Sequence, residues 1–462
     1  MADKQHTDPE RMEKIVSLCK RRGFIYQSAE LYGGLNGCWD YGPLGVELKR
    51  NLKDYWWRRN VQERDDIVGL DGSILTHQAV LTASGHVGGF SDPMVDCKTC
   101  KARFRADNLD GMQCPRKPSC APGAGPDCAL TEPREFHLMF ETKVGAAADE
   151  DDPNATAYLR PETAQSIFSQ FKNVLDTSRQ KLPFGIAQIG KAFRNEINPR
   201  NFTFRSREFE QMEIEYFCRA DDGLRLTEEW LEARLRFYEE IGLPREKLHV
   251  LDVPDADRAH YSSKTYDIEF DFPFGCQELE GVAYRSDYDL TKHQEHSGKP
   301  IEYFEEESKE KFIPHVVEPS AGCDRTALAL ICEAFAEEEV TDAKGKTETR
   351  TVMRFHPRMA PVKAAIFPLL KKNAEQVRLA KEIRDNLAPF MNVFYDESGA
   401  VGRRYRRQDE IGTPFCITVD FDTLGENDAA DKDTVTVRER DSMQQERIKI
   451  AEVLPWIAER IR

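Results

Sequence analysis

Between Phe184 and Phe217 the chain gathers groups that could hold a polyphosphate and an ammonium side by side. The run FGIAQIGKAFRNEINPRNFTFRSREFEQMEIEYF carries Arg194, Arg200, Arg205 and Arg207 beside a row of carboxamides and carboxylates. Guanidinium groups pair with phosphate oxygens, and carboxylates accept from an ammonium. The spacing predicts two strands joined by a loop. Gln188, Arg194 and Glu196 share parity and leave one face of the first strand. Asn198-Pro199 and Asn201 mark the turn. On the return strand Met212, Ile214 and Tyr216 fall on one face, and Gln211, Glu213 and Glu215 on the other. Periodicity alone would also describe a half-solvated antiparallel pair with a polar outer face.

The elements around this hairpin carry further motifs. Pro43 suits the first turn of a helix, and Leu44, Leu48, Leu52 and Trp56 then form an apolar stripe. Arg160-Pro161-Glu162-Thr163-Ala164-Gln165 precedes the hairpin. After it come a helix over 227–241, closed by Gly242 and Pro244, and a strand in TYDIEFDFPFG with alternating Tyr266, Ile268, Phe270 and Phe272. The runs CQELEGVAYRSDYDL and HVVEPSAGCDRTALALICEAF follow. In the second, a β-rich run ends at Val317, a small-residue turn comes next, and Arg325 opens an apolar helix. An arginine at a helix N-terminus opposes the helix dipole, and an anionic ligand would relieve that.

Phe193-Arg194-Asn195-Glu196, a turn and Arg205-x-x-x-Phe209 resemble motif 2 of the class II aminoacyl-tRNA synthetases. The helix after Pro43 is similar to motif 1, and the segment through Arg325 to motif 3. REFEQMEIEYF and RPETAQ look like the glycine-specific branch, the dimeric glycyl-tRNA synthetases. Ser166 stands where that branch usually has glycine, and Ala321, Cys323 and Asp324 replace glycines of the motif 3 turn. The fold so implied is an α+β catalytic domain, an antiparallel sheet flanked by helices. The implied reaction is adenylation of glycine by ATP with magnesium, then transfer to tRNA-Gly, in a homodimer.

Residue roles follow from the same resemblance. Arg194 would hold the α-phosphate and the attacking carboxylate, and Arg325 the γ-phosphate, as the two catalytic residues. Arg205 would face the triphosphate, Phe209 stack on adenine, and Glu196 read its amino group. Glu278 with Leu279 would lie against ATP and its magnesium. Asn195, Phe204, Ser206, Arg207, Glu208, Gly322, Cys323 and Asp324 complete the expected ATP site. Glycine offers no side chain to grasp, so its ammonium is expected to meet Glu162, Glu213, Glu318 and Ser320. Arg285 is the candidate for its carboxylate and Arg105 a second one nearby. Phe209, Glu210, Gln211, Met212, Pro319, Ala321 and Gly322 are expected around the same pocket. Crowding at the α-carbon would exclude larger amino acids without an editing site.

Residues 91–135 are cysteine-, proline- and charge-rich. Cys97-x-x-Cys100 followed by Cys114, Cys120 and Cys128 suggests a structural zinc knuckle in an insertion over 91–160. Zinc-bearing relatives carry a second tight pair, whereas here the later cysteines are spread out. The expected ligands are Cys97, Cys100, Cys114 and Cys128, with metal-free cysteines the alternative.

The net charge of −16 argues against a general nucleic-acid coat and requires any RNA contact to be local. No apolar run approaches the ~20 residues of a membrane span, and the polar N-terminus lacks a signal-peptide core. A cytoplasmic protein is expected, with twelve largely free thiols. GAAADEDDPNA at 145–155 reads as an acidic loop. We divide the chain into a catalytic domain over 1–335, a charged linker over 336–359 and an α/β unit over 360–462. The last resembles the anticodon-binding domain shared by the glycine, histidine, proline and threonine synthetases. Arg403, Arg404, Arg406 and Arg407 around Tyr405 are its most basic cluster and a candidate RNA contact. Two rivals remain: a class II synthetase for another small amino acid, and a non-catalytic nucleic-acid-binding subunit on this scaffold.

Overall fold

The computed structural model describes residues 7–109, 112–125, 128–145, 155–341, 345 and 347–462. The acidic stretch at 145–155 lies almost wholly outside them. The chain opens with helix α1 (Pro9–Arg22), started by Asp8, whose side chain accepts from Arg11 N at 3.0 Å, and ended by Gly23 at φ +78°. Helix α2 (Pro43–Trp57) begins on its proline and buries Leu48, Leu52 and Trp56.

Among the described residues, seven strands form the central sheet. In chain order they are β1 (Ile67–Gly69), β2 (Phe184–Phe193), β3 (Glu208–Cys218), β4 (Leu248–Asp252), β5 (Lys264–Phe272), β6 (Gly275–Ser286) and β7 (His315–Gly322). Their order across the sheet is β4-β5-β6-β7-β3-β2-β1, antiparallel except for the parallel β1–β2 edge. Around it, with α1 and α2, lie α3 (Ala164–Ser178), α4 (Gly223–Glu240), α5 (Tyr288–Ser297) and α6 (Cys323–Ala334).

The two sheet faces are covered differently. One carries Met212, Ile214, Tyr216, Ile268, Phe270 and Val317, packed in a single core with residues of α1, α2, α4 and α6. The other carries a smaller core, in which Ile167, Phe168 and Phe171 of α3 and Leu290 of α5 meet Phe184, Ile186 and Phe217. That lid covers only one end of its face. Gln211, Glu213 and Glu215 are buried beside it, so the polar side of β3 is enclosed rather than half-solvated.

Two three-stranded sheets build the cysteine-rich region: Ser91–Asp96 with Arg103–Arg105 and Arg134–His137, and Leu75–His77 with Phe140–Lys143 and Thr156–Leu159. Beyond α6, the stretch expected as a linker holds an antiparallel hairpin, Phe335–Thr341 with Thr347–Met353. Across it Arg350 sits opposite Glu338 and pairs with it.

The C-terminal unit is α/β. Strands β8 (Ala364–Pro368), β9 (Val393–Tyr395), β10 (Phe415–Val419), β11 (Thr434–Glu439) and β12 (Gln445–Lys449) lie in the order β9-β8-β10-β11-β12. Helices α7 (Ala374–Leu387), α8 (Val401–Asp409) and α9 (Val453–Arg460) accompany them. Among the described residues no helix is long and apolar enough to cross a membrane.

Candidate active site

The uncovered part of the second face is a cavity of about 320 Å³. Its floor is set by strand register. Gln188 pairs with Glu213, Glu213 with Ser320, Ser320 with Gly281, and Gly281 with Asp267, one rung across five strands. Gly281 leaves a gap in the middle of that rung, between Ser320 and the acidic edge at Asp267.

One end of the cavity is acidic. Glu213 accepts from Ser320 Oγ at 2.7 Å and from the Thr163 hydroxyl. Burial and the neighbouring Glu162 raise its pKa, against the two hydroxyl donors. Glu162 accepts from Gln165 Nε2 at 2.9 Å and lies 3.6 Å from His86 Nε2. Burial pushes Glu162 up, but His86, Arg285 and Gln165 outweigh it and hold the carboxyl well below the usual range. Glu318 receives two bonds from Arg285 Nη1, at 2.8 and 2.9 Å. Arg285 also binds Asp289 bidentately, at 2.7 and 2.9 Å, and Tyr261 caps its face at 3.8 Å. Behind this end Arg160 binds the Lys191 and Gly72 carbonyls at 2.6 and 2.8 Å. It approaches so closely that a Cβ on Gly190 would sit 2.1 Å from its Nη2.

The other end is basic. Arg194 Nε donates to the Pro161 carbonyl at 3.1 Å, and its guanidinium lies 5.5 Å from the Phe90 ring and 5.4 Å from the Phe209 ring. Arg325 spans Glu278 Oε2 at 3.1 Å and the Phe204 carbonyl at 3.3 Å, and stacks on the Phe204 ring. Arg205 lies 3.9 Å from Glu196. Burial lowers the pKa of Arg205, Glu196 raises it, and Arg200, Arg325 and Arg105 press it down again. Several like charges thus crowd one wall. Behind Arg325, Asp324 offsets the cation at the start of α6: it accepts from Lys49 at 2.8 Å and from Glu210 N at 2.6 Å. Lys49 also contacts Glu210 at 2.6 Å, tying α2, β3 and α6 together.

Residues 142–335 match the model of the "tRNA synthetase class II core domain (G, H, P, S and T)", and residues 363–460 that of the "Anticodon binding domain". The glycine–tRNA ligase of Thermobifida fusca is 51% identical over 464 residues, covering 98% of this chain and 98% of that protein. That of Treponema denticola is 50% identical over 454 residues, covering 98% and 97%. That of Thermus thermophilus is 46% identical over 507 residues, covering 98% and 99%. The chain belongs to the glycine–tRNA ligase family of class II synthetases.

Most of the residues expected from this family resemblance converge on the cavity. Arg194, Glu196, Phe204, Arg205, Ser206, Phe209, Glu278, Leu279, Gly322, Asp324 and Arg325 line it, as do Glu162, Glu210, Gln211, Glu213, Glu318 and Ser320. Others stand outside its wall. Met212 and Ala321 have the opposite parity and enter the helix-covered core, where Cys323 is also buried. Pro319, of Ala321's parity in β7, pairs with Val282. Arg207 binds the Glu196 carbonyl, Glu208 pairs with Lys191, and the Asn195 backbone N donates to Leu138. Arg105 is held by Asp92 at 2.9 Å and Asp107 at 2.7 Å. Arg285 lies beneath the floor, its donors engaged by Asp289 and Glu318.

Sequence reading also missed part of the wall. The loop after β4 contributes Val253, Asp257, Arg258 and Tyr261, and no periodicity marks it. Asp267 was legible, because the alternation of Tyr266, Ile268 and Phe270 puts it on the opposite face. The small-residue turn expected after Val317 is strand through Gly322, because β3 and β6 pair with it on both sides.

The cysteines form a second cluster. Cys97, Cys100, Cys114, Cys120 and Cys128 line one hollow, with Cys97 Sγ 3.5 Å from Cys128 Sγ. The Cys100 backbone N–H at 3.4 Å, with further donors, brings the Cys97 thiol down to about 7. In the C-terminal unit, Arg404 is buried and donates to the Gly399 carbonyl at 3.1 Å, and Arg407 binds Asp396 at 2.5 Å. Of the four expected RNA-facing arginines, Arg403 is exposed.

Proposed function

We propose that this enzyme joins glycine to tRNA-Gly through a glycyl-adenylate. The observation that carries the reading is the division of one cavity into an arginine wall and a carboxylate end. Glycine's ammonium sits among Glu162, Glu213, Glu318 and the Ser320 hydroxyl. Its carboxylate then points toward Arg194 and attacks the α-phosphorus of ATP, with pyrophosphate leaving. Arg194, Arg205 and Arg325 supply fixed positive charge where charge moves between oxygens, so no protein nucleophile is needed. Phe209 offers a face to adenine. Arg285, held beneath the floor, acts on the substrate through Glu318.

The carboxylates of Glu278 and Asp267 fit a magnesium ion shared with phosphates. Burial and the nearby Glu278 and Glu269 push Asp267 up to about 7, the crowding a hard cation would relieve. Bound there, the ion would neutralise phosphate charge.

We propose that the thiols of Cys97, Cys100, Cys114 and Cys128, which line one hollow, hold a structural zinc. A tetrahedron with bonds of about 2.3 Å separates its sulfurs by about 3.8 Å, close to the 3.5 Å between Cys97 and Cys128. The reducing cytoplasm, where such thiols persist, is the setting we propose.

We also propose a homodimer and the domain division given above. Leu31 and Tyr32, each 88% exposed, and Leu35 and Val46 offer apolar surface around the start of α2. Sedimentation of the protein as a monomer at micromolar concentration would refute the dimer.

The deciding experiment is amino-acid-dependent exchange of labelled pyrophosphate into ATP, across all twenty amino acids without tRNA. Exchange with glycine alone is expected. Exchange with another amino acid would keep the fold and overturn the assignment of Glu162, Glu213 and Ser320. No exchange from folded protein would support the non-catalytic reading.

A further inference from the structure

Glu215 lies two residues beyond Glu213, on the same face of β3. The pairings of Glu213 with Ser320 and Tyr216 with Val317 set it opposite Glu318 of β7. It is fully buried, and among the described residues neither carboxyl oxygen has a hydrogen-bond partner. One oxygen from each of Glu213, Glu215 and Glu318 lies within 4.8 Å of the other two. Carboxylates crowded this closely out of water cannot all be ionised.

Charge around the trio is one-sided. Glu162 comes from the segment before α3, Asp289 and His293 from α5, and Tyr261 from the loop after β4. Against these acids stand Arg285 of β6, Arg160 near Glu213, and His86 beside Glu162. Arg285 is committed to Asp289 and Glu318, and Arg160 to carbonyls and Gln188. Burial raises both Glu215 and Glu318 far above the carboxylate range; Glu318 raises Glu215 further, and Glu213 and Glu162 raise Glu318 against Arg285. Donors separate them. Glu318 has Arg285 at 2.8 Å, and Glu213 has the Ser320 hydroxyl at 2.7 Å. Glu215 has none.

We propose that Glu215 holds a proton while the amino-acid end is empty, and that the arriving ammonium displaces this proton to solvent, so that glycine binding is proton-linked. The inference rests on the placement of glycine's ammonium proposed above. Glu215 is then a positioning residue. As a neutral acid it spares Glu213 and the Arg285-paired Glu318 a third like charge in the empty pocket, and as a carboxylate it adds attraction once a cation is present. The balance is simple: Glu215–COOH and the bound ammonium become Glu215–COO⁻ and the same ammonium, with one proton released. Binding that releases a proton tightens by up to about tenfold per pH unit across the window between the free and bound titrations.

The test is calorimetry of glycine binding near neutral pH in buffers of different ionisation enthalpy, which counts protons released, alongside glycine KM against pH. The wild type is expected to release close to one proton, with KM falling as pH rises. Glu215→Gln keeps the shape and removes the titration; it is expected to release none and to lose the pH dependence of KM while that of kcat remains. No release from a wild type that still exchanges pyrophosphate with glycine would overturn the proposal alone. Equal release from Glu215→Gln would move the proton elsewhere and overturn it as well. Absence of glycine-dependent exchange would overturn the glycine reading and this inference with it.

Discussion

Arg194 and Arg285 are both arginines of the expected glycine and ATP machinery, yet their surroundings assign them opposite work. Arg194 has one carbonyl partner and two flanking rings, and lines the cavity. Arg285 is enclosed by Asp289, Glu318 and Tyr261. Motif spacing named both residues but could not tell them apart, because the distinction depends on Glu318 reaching Arg285 from β7. Replacing Arg194 with alanine would remove charge at the proposed reacting centre and little packing. Glycine-dependent pyrophosphate exchange is expected to fall by about 10²–10³-fold with a nearly unchanged melting temperature. A parallel loss of thermal stability would identify Arg194 as structural instead.

At the level of elements, strand parity made most of the floor legible. Gln211, Glu213 and Glu215 alternate with Met212, Ile214 and Tyr216 in the sequence as they do in β3. Composition misled at β7, where serine, proline and glycine suggested a turn. There the ladder to β3 skips Pro319, which has no N–H to donate, and resumes at Ser320. Nothing local in the sequence announced the pair between α4 and β6, in which Arg234 meets Glu280 at 2.6 Å with both side chains 1% exposed. Arg234→Leu leaves a buried carboxylate and is expected to cost about 3–5 kcal/mol in chemical denaturation. Adding Glu280→Leu should recover much of that loss; a double variant no more stable than the single would refute the account. The cysteine cluster is separable from this core. Treatment with a chelator should release about one equivalent of the proposed zinc per chain and lower the melting temperature, read by metal analysis and calorimetry. Retention of full stability without metal would leave the thiols as packing only.

Across the whole molecule, buried arginines join the C-terminal unit to the rest. Arg350 of the hairpin after α6 binds Asp409 of α8 at 2.9 Å and the Arg440 carbonyl at 2.6 Å, and Arg438 binds the other oxygen of Asp409 at 2.9 Å. Arg21 and Arg22 of α1 both pair with Glu410. His356 sits at the same junction, where burial and the cations Arg358, Lys363 and Arg440 bring it down to about 4. Its folded pKa lies below the ordinary value of about 6.5. Its contribution is therefore complete above that ordinary value and is lost as pH falls toward the folded one, since the unfolded chain takes the proton first. Melting temperature should decline over this interval, and His356→Asn should flatten the decline; an unchanged slope would clear His356. The divided cavity also sets terms for a competing ligand. In the proposed arrangement the carboxylate end would hold a cation without requiring the group that reacts, so a small primary amine lacking a carboxylate would lodge there with nothing to attack phosphorus. Such an amine would be a dead-end occupant, displacing glycine in proportion to concentration while leaving the nucleotide seat open.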